Sequence, residues 1–170
     1  LVWDYKTLKL FVASSSLVAK PLISTLLISK DHQLLGLITN PDKADNDEKA
    51  LIKMAMWASE PIPFDPMEIA LHKAYKDLHS EDERPTFKLI HEYPLGGKPP
   101  MMTHIFQNNL GEKIIAAKGA PEALMKISNL SKEEIQQIEK AIQTITTEGY
   151  RVLGVGESYF SNNNFPKTQQ

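Results

Sequence analysis

The chain contains no cysteine. That excludes disulfides, thiolate nucleophiles and zinc–thiolate sites, and it fits a reducing compartment. No apolar run approaches the roughly 18–20 residues of a membrane span. The nearest, residues 17–28, is interrupted by Lys20 and Pro21, so no direct membrane insertion is expected. The opening LVWDYKTLKLF has no basic head before an apolar stretch, so no signal peptide is read there. A start on Leu1 reads as a fragment of a longer chain. Charge of one sign is also scarce. The 19 basic and 21 acidic residues leave a formal net charge of -2, which indicates no nucleic acid or other polyanion as partner. The five histidines, His32, His72, His79, His91 and His104, show no ligand spacing with one another, so no metal site is expected. A GxxxxGK[ST] loop is missing, which excludes a P-loop nucleotide site. There is neither an internal repeat nor a low-complexity tract.

What is present suits one globular domain over residues 1–170, expected to be a monomer. Hydrophobic residues make up 42% and charged residues 24% of 170, enough for a core without staples. Residues 5–14 and 22–39 read as strand-like runs, with KDHQ at 30–33 as a turn. Residues 1–40 are expected to lead into a sheet. A helix is predicted over about 47–59, with Ala50, Leu51, Met54, Ala55 and Ala58 as its apolar stripe. After the proline-rich EPIPFDP, Asp65-Pro66-Met67-Glu68 forms a capping-box pattern that opens a second helix. Met67, Ala70, Leu71, Ala74 and Leu78 would be its apolar face.

Alternation predicts a strand over 86–93, with Phe87, Leu89 and His91 on one face and Lys88, Ile90 and Glu92 on the other. Residues 102–107 and 112–118 read as a hairpin closed by NNLG. A short helix should follow Pro121. Ser131-Lys132-Glu133-Glu134 is a second capping box, opening a helix that Gly149 ends. A strand follows over 151–156, and the tail 161–170 is expected to fray. Strands joined by short turns, with helices in pairs, give an α+β class: an antiparallel β-sheet flanked by helices.

Four short stretches carry candidate chemistry. In AAKGAPEAL, Lys118 stands at a strand end before the small Gly119 and Ala120. Its amine suits a phosphate, or its carbons a purine face, and equally suits a solvated strand end. Glu68, in PFDPMEIAL, is an acceptor for an exocyclic amine or simply the third residue of a cap. Tyr93, in HEYPL, offers a ring for a base or for the core. Arg151, in GYRVLGVG, suits a phosphate or a carboxylate.

Taken in order, FDPMExAL, EYPL, KGAPE and GYRVLGVG resemble the nucleotide-binding domain of cation-transporting P-type ATPases, over about residues 48–157. The form ASE–PFDPMEIAL is similar to bacterial pumps of the calcium-pump-like group. The resemblance implies that Glu68 accepts from the adenine amine and that Tyr93 stacks on adenine. It implies that Lys118, with Gly119 and Ala120, lines the pocket and that Arg151 lies near the phosphates. The family's basic slot after the aromatic position falls on Pro100; Lys98, two residues earlier, is a candidate phosphate contact. The family's phosphorylated aspartate lies in Asp-Lys-Thr-Gly-Thr. The similar DYKTLKL has an inserted tyrosine and no glycine, so Asp4 is not assigned as nucleophile.

By that resemblance the fragment binds ATP, with Mg2+ carried on its phosphates, and turns it over little or not at all. No residue of its own is assigned as catalytic. Its partners would be the phosphorylation and actuator domains of a parent pump. It would be a cytoplasmic domain of an integral protein of the plasma or inner membrane. The alternative is a pump-derived domain that has lost nucleotide binding and serves as an interaction or regulatory surface.

Overall fold

In residues 101–106 and 115–119, adjacent as well as alternate residues are buried, so both faces of the central strands must be covered. The structure, a computed structural model, shows what covers them; it describes residues 4–13, 25–28, 34–38, 46–128, 130–147, 151–160 and 164–169. The strands are β1 (Asp4–Ala13), β2 (Thr25–Ile28), β3 (Leu34–Ile38), β4 (Phe87–Gly96), β5 (Met101–Asn108), β6 (Lys113–Gly119) and β7 (Arg151–Tyr159). The helices are α1 (Asn46–Trp57), α2 (Pro66–Leu78), α3 (Pro121–Ile127) and α4 (Lys132–Thr147). An antiparallel sheet runs in the order β1-β7-β6-β5-β4, and β2 pairs with β3 in a separate ribbon. The α+β class is therefore as expected.

The helix pairs take opposite faces. On one, Leu51, Ile52, Ala55 and Met56 of α1 and Leu71 and Tyr75 of α2 pack on Phe106, Ala116 and Val155. On the other, Ala123 and Leu124 of α3 and Ile138 of α4 pack on Met101, Ile105, Ile115 and Ala117. Both expected caps form, but only the one at Ser131 is a reciprocal box; at Asp65 the aspartate caps the helix while the Glu68 side chain turns to Lys118 instead of the Asp65 amide. Asp65 Oδ1 accepts from Met67 N at 2.7 Å and Glu68 N at 3.1 Å. Ser131 N donates to Glu134 Oε2 at 2.6 Å, and Glu134 N donates to Ser131 Oγ at 3.2 Å. The β5–β6 turn places Gly111 at φ 85°, a conformation open to glycine.

Three expectations need correcting. The register of β4 on β5 shifts between Leu89 and His91. One extra residue there flips the alternation. Phe87 and Leu89 keep the α1–α2 face, while His91 moves to the other face with Tyr93, opposite Ile105 and Thr103. In α2 the fully buried positions are Glu68, Leu71, His72 and Tyr75; the stripe is rotated from the apolar one and includes two polar side chains. The tail is docked where it is described: Gln169 is buried, donates from Nε2 to Met101 O at 2.8 Å and accepts from Thr103 Oγ1 at 3.0 Å. The turn at 30–33 and Gly149 lie outside the described residues.

Candidate functional site

Lys118 and Glu68 stand 50 residues apart in sequence and meet on the α1–α2 face. Lys118 pairs across the sheet with Met102 and Val155, and Val155 belongs to the core under α1 and α2. The N-cap fixes the first turn of α2 so that Glu68 points at that face. Lys118 Nζ donates to Glu68 Oε1 in a close ion pair, and to Ser59 Oγ at 2.9 Å. Ser59 Oγ in turn donates to Ala55 O at 2.8 Å. Glu60 N adds a longer bond, 3.3 Å, to Glu68 Oε1. Both charged groups are 4% exposed. Burial pushes the Lys118 ammonium down from the usual lysine value, while the hydrogen bond and charge of Glu68 pull it back up.

Glu68 Oε2 is buried with no hydrogen-bond partner among the described residues. A buried carboxylate oxygen without a donor is costly. It is also an acceptor ready for an amine, so the residues present fit an adenine edge.

The other predicted residues divide. Gly119 and Ala120 continue the strand end after Lys118. A Cβ on Gly119 would stand 2.5 Å from Met101 Cα and from Pro100 O, so the glycine permits the close approach of β5. Ala120 N donates to Pro100 O at 2.9 Å. Lys98 is exposed in the β4–β5 turn. Arg151 opens β7 opposite Ala13, and its side chain lies outside the described ones. Tyr93 is not brought to Lys118. The β4 bulge places it on the α3–α4 face, 7% exposed, where its hydroxyl donates to Pro166 O. Burial pushes that phenol up from its usual value.

Two contributors were given no role by the sequence. Ser59 stands in the ASE stretch without a role of its own, yet it links α1 to Lys118 through Oγ and to His104 through its carbonyl. His104 is fully buried beside it, near Glu60 and Glu92. These three are non-local, so ligand spacing along the chain, which predicted no metal site, could not find them. His72, also buried, contacts Arg84 Nη1 through Nδ1 at 3.0 Å. Burial, then the Arg84 charge, holds its ring below the usual histidine value.

Residues 62–170 match the family described as "P-type ATPase, cytoplasmic domain N". The chain is 30% identical over 99 residues to the sodium/potassium exporting P-type ATPase of Schizosaccharomyces pombe, covering 54% of this chain and 10% of that protein. It is 25% identical over 95 residues to a probable plasma membrane ATPase of Dictyostelium discoideum, covering 56% of this chain and 9% of that one. The chain thus spans about a tenth of the length of these relatives.

Proposed function

The chain belongs to the family of P-type ATPase cytoplasmic N domains, and on that premise we propose that it binds ATP for a cation-transporting pump. In this reading it holds adenine and presents the γ-phosphate to an aspartate in a separate phosphorylation domain. The parent is a membrane pump, of the bacterial calcium-pump-like group by its PFDPMEIAL form, with an actuator domain as further partner. Mg2+ arrives on the ATP phosphates. The domain alone turns ATP over little or not at all, because the nucleophile lies elsewhere.

The observation that carries this reading is the Glu68–Lys118 pair with its unpartnered Oε2. Glu68 Oε2 accepts from the exocyclic amine, and the Lys118 carbons lie along the base. Both groups are shielded, 4% exposed, so the base enters only with a local rearrangement around the pair. Lys98 and Arg151 are the cations proposed for the phosphates. Tyr93, on the opposite face, gives the base no stacking surface in this arrangement. With few charge contacts, Kd should be micromolar to millimolar, about −4 to −8 kcal/mol.

A second reading is a pump-derived domain that no longer binds nucleotide. It is favoured by the Glu68–Lys118 pair being closed on itself and by the placement of Tyr93. An amide-resolved NMR titration with ATP, with and without Mg2+, separates the two. Shifts gathered at Ser59, Glu68 and Lys118 are expected. Silence at millimolar ATP hands the argument to the second reading.

A further inference from the structure

Beside the nucleotide corner, and independent of it, three side chains from separate elements converge. His104 comes from β5, Glu92 from β4 and Glu60 from the connection after α1. One ligand atom from each lies within 4.8 Å of the other two. Glu92 and His104 are direct cross-strand partners. They share a face only because the β4 bulge has already flipped the alternation.

The imidazole sets the chemistry. His104 is fully buried, and its Nδ1 lies 3.0 Å from Ser59 O. A carbonyl oxygen only accepts, so Nδ1 carries the hydrogen and donates. That leaves the lone pair on Nε2, which is buried and has no hydrogen-bond partner among the described residues. Nε2 faces Glu60 Oε1 at 4.0 Å. A ring pinned through Nδ1–H to a backbone carbonyl, with Nε2 free, is the arrangement that metal-binding histidines use. Glu60 is half-buried and Glu92 exposed, so both carboxylates can adjust around a fixed nitrogen.

We propose that Glu60, Glu92 and His104 form a binding site for a divalent first-row transition ion of the zinc class. One imidazole nitrogen and two carboxylate oxygens suit a borderline cation better than Mg2+ or Ca2+, which favour oxygen alone. Two carboxylates also balance the charge of a divalent ion. Ligand atoms about 2.0–2.2 Å from a tetrahedral ion stand about 3.3–3.6 Å apart. The carboxylates therefore close in by about 1 Å, a glutamate side-chain adjustment that leaves the backbone in place. Three protein ligands leave a fourth position open to water. Because Ser59 joins this histidine to Lys118, the ion would brace the same backbone segment that positions the Lys118–Glu68 pair.

The test is calorimetric titration of the tag-free chain with ZnCl2, paired with Co2+ addition followed by visible absorption. The expected result is one equivalent of Zn2+ bound, with Co2+ bands of mixed nitrogen–oxygen coordination and a shift of the His104 Nε2 signal in imidazole 15N NMR. Glu92→Ala removes an exposed ligand and should keep the fold, checked by an unchanged melting curve; affinity should drop at least tenfold. Glu60→Gln should do likewise. His79→Gln, a histidine outside the cluster, should leave binding unchanged. Two results overturn the proposal: no stoichiometric binding at millimolar Zn2+, or binding that survives Glu92→Ala and Glu60→Gln at full affinity.

Discussion

Lys118 and Glu68 show how a residue can be visible in sequence while its circumstances are not. The motif KGAPE singles out the lysine, and PFDPMEIAL the glutamate, but neither indicates that they bond to each other in a buried corner. Removing one partner of such a pair strands the other. Lys118→Ala should therefore destabilise by about 3–5 kcal/mol in urea unfolding. The double variant Lys118→Met with Glu68→Leu should lose clearly less, since two apolar side chains replace two charges. Equal losses would show that Glu68 finds water once alone. Gly119 was legible as a special position, and the structure adds a packing reason for it. Its missing Cβ makes room for β5 at 2.5 Å, so Gly119→Ala should cost about 1–3 kcal/mol, whether or not nucleotide is present. The role of Ser59 was not legible, because a serine after a helix matters only through what other segments bring near it.

At the scale of elements, local rules were the readable part. Caps, turns and helical spacing act within a few residues, and so Asp65, Ser131 and Gly111 sit where their chemistry requires. Asp65→Ala should lower stability by about 1 kcal/mol and blur the NMR signals of Glu68, whose backbone amide the cap holds. Sharp Glu68 signals in that variant would mean that Lys118 alone orders the carboxylate. The β4 bulge was not readable. Ile90 continues an ordinary alternation, and only the fixed register with β5 turns it into the extra residue. That single slip separates Tyr93 from Lys118 and delivers Glu92 to His104. The rotated α2 stripe escaped for a related reason. Periodicity sorts residues by polarity, whereas Glu68 and His72 are buried because β6 and Arg84 supply partners.

For the molecule as a whole, binding and titration report on the balance of folded and unfolded chains. If ATP binds only the folded domain, ATP at ten times Kd should stabilise it by about 1.4 kcal/mol, read as a rise in Tm that vanishes with a nucleotide-blind variant. Acid should act through His72. Its folded value lies below the usual one, from burial first and Arg84 second. As pH falls below about 6.5, the unfolded chain takes up a proton that the folded ring resists, so stability is lost. Urea midpoints at successive pH values should show this loss, and His72→Gln should flatten it. An antiparallel sheet covered by helices was legible from the order of strands and helices; the placing of the two helix pairs on opposite faces and the partner of β1 were not. Neighbours β4, β5, β6 and β7 follow one another along the chain, but β1 pairs with β7, joining Asp4 to Tyr159. Loop closure of that length is slow. During synthesis β1 leaves the ribosome long before β7 exists. Until they meet, both present unsatisfied backbone edges to any neighbouring chain. The tendency of this domain to aggregate should therefore be set by how quickly β1 and β7 find each other, more than by the helices that guard its centre.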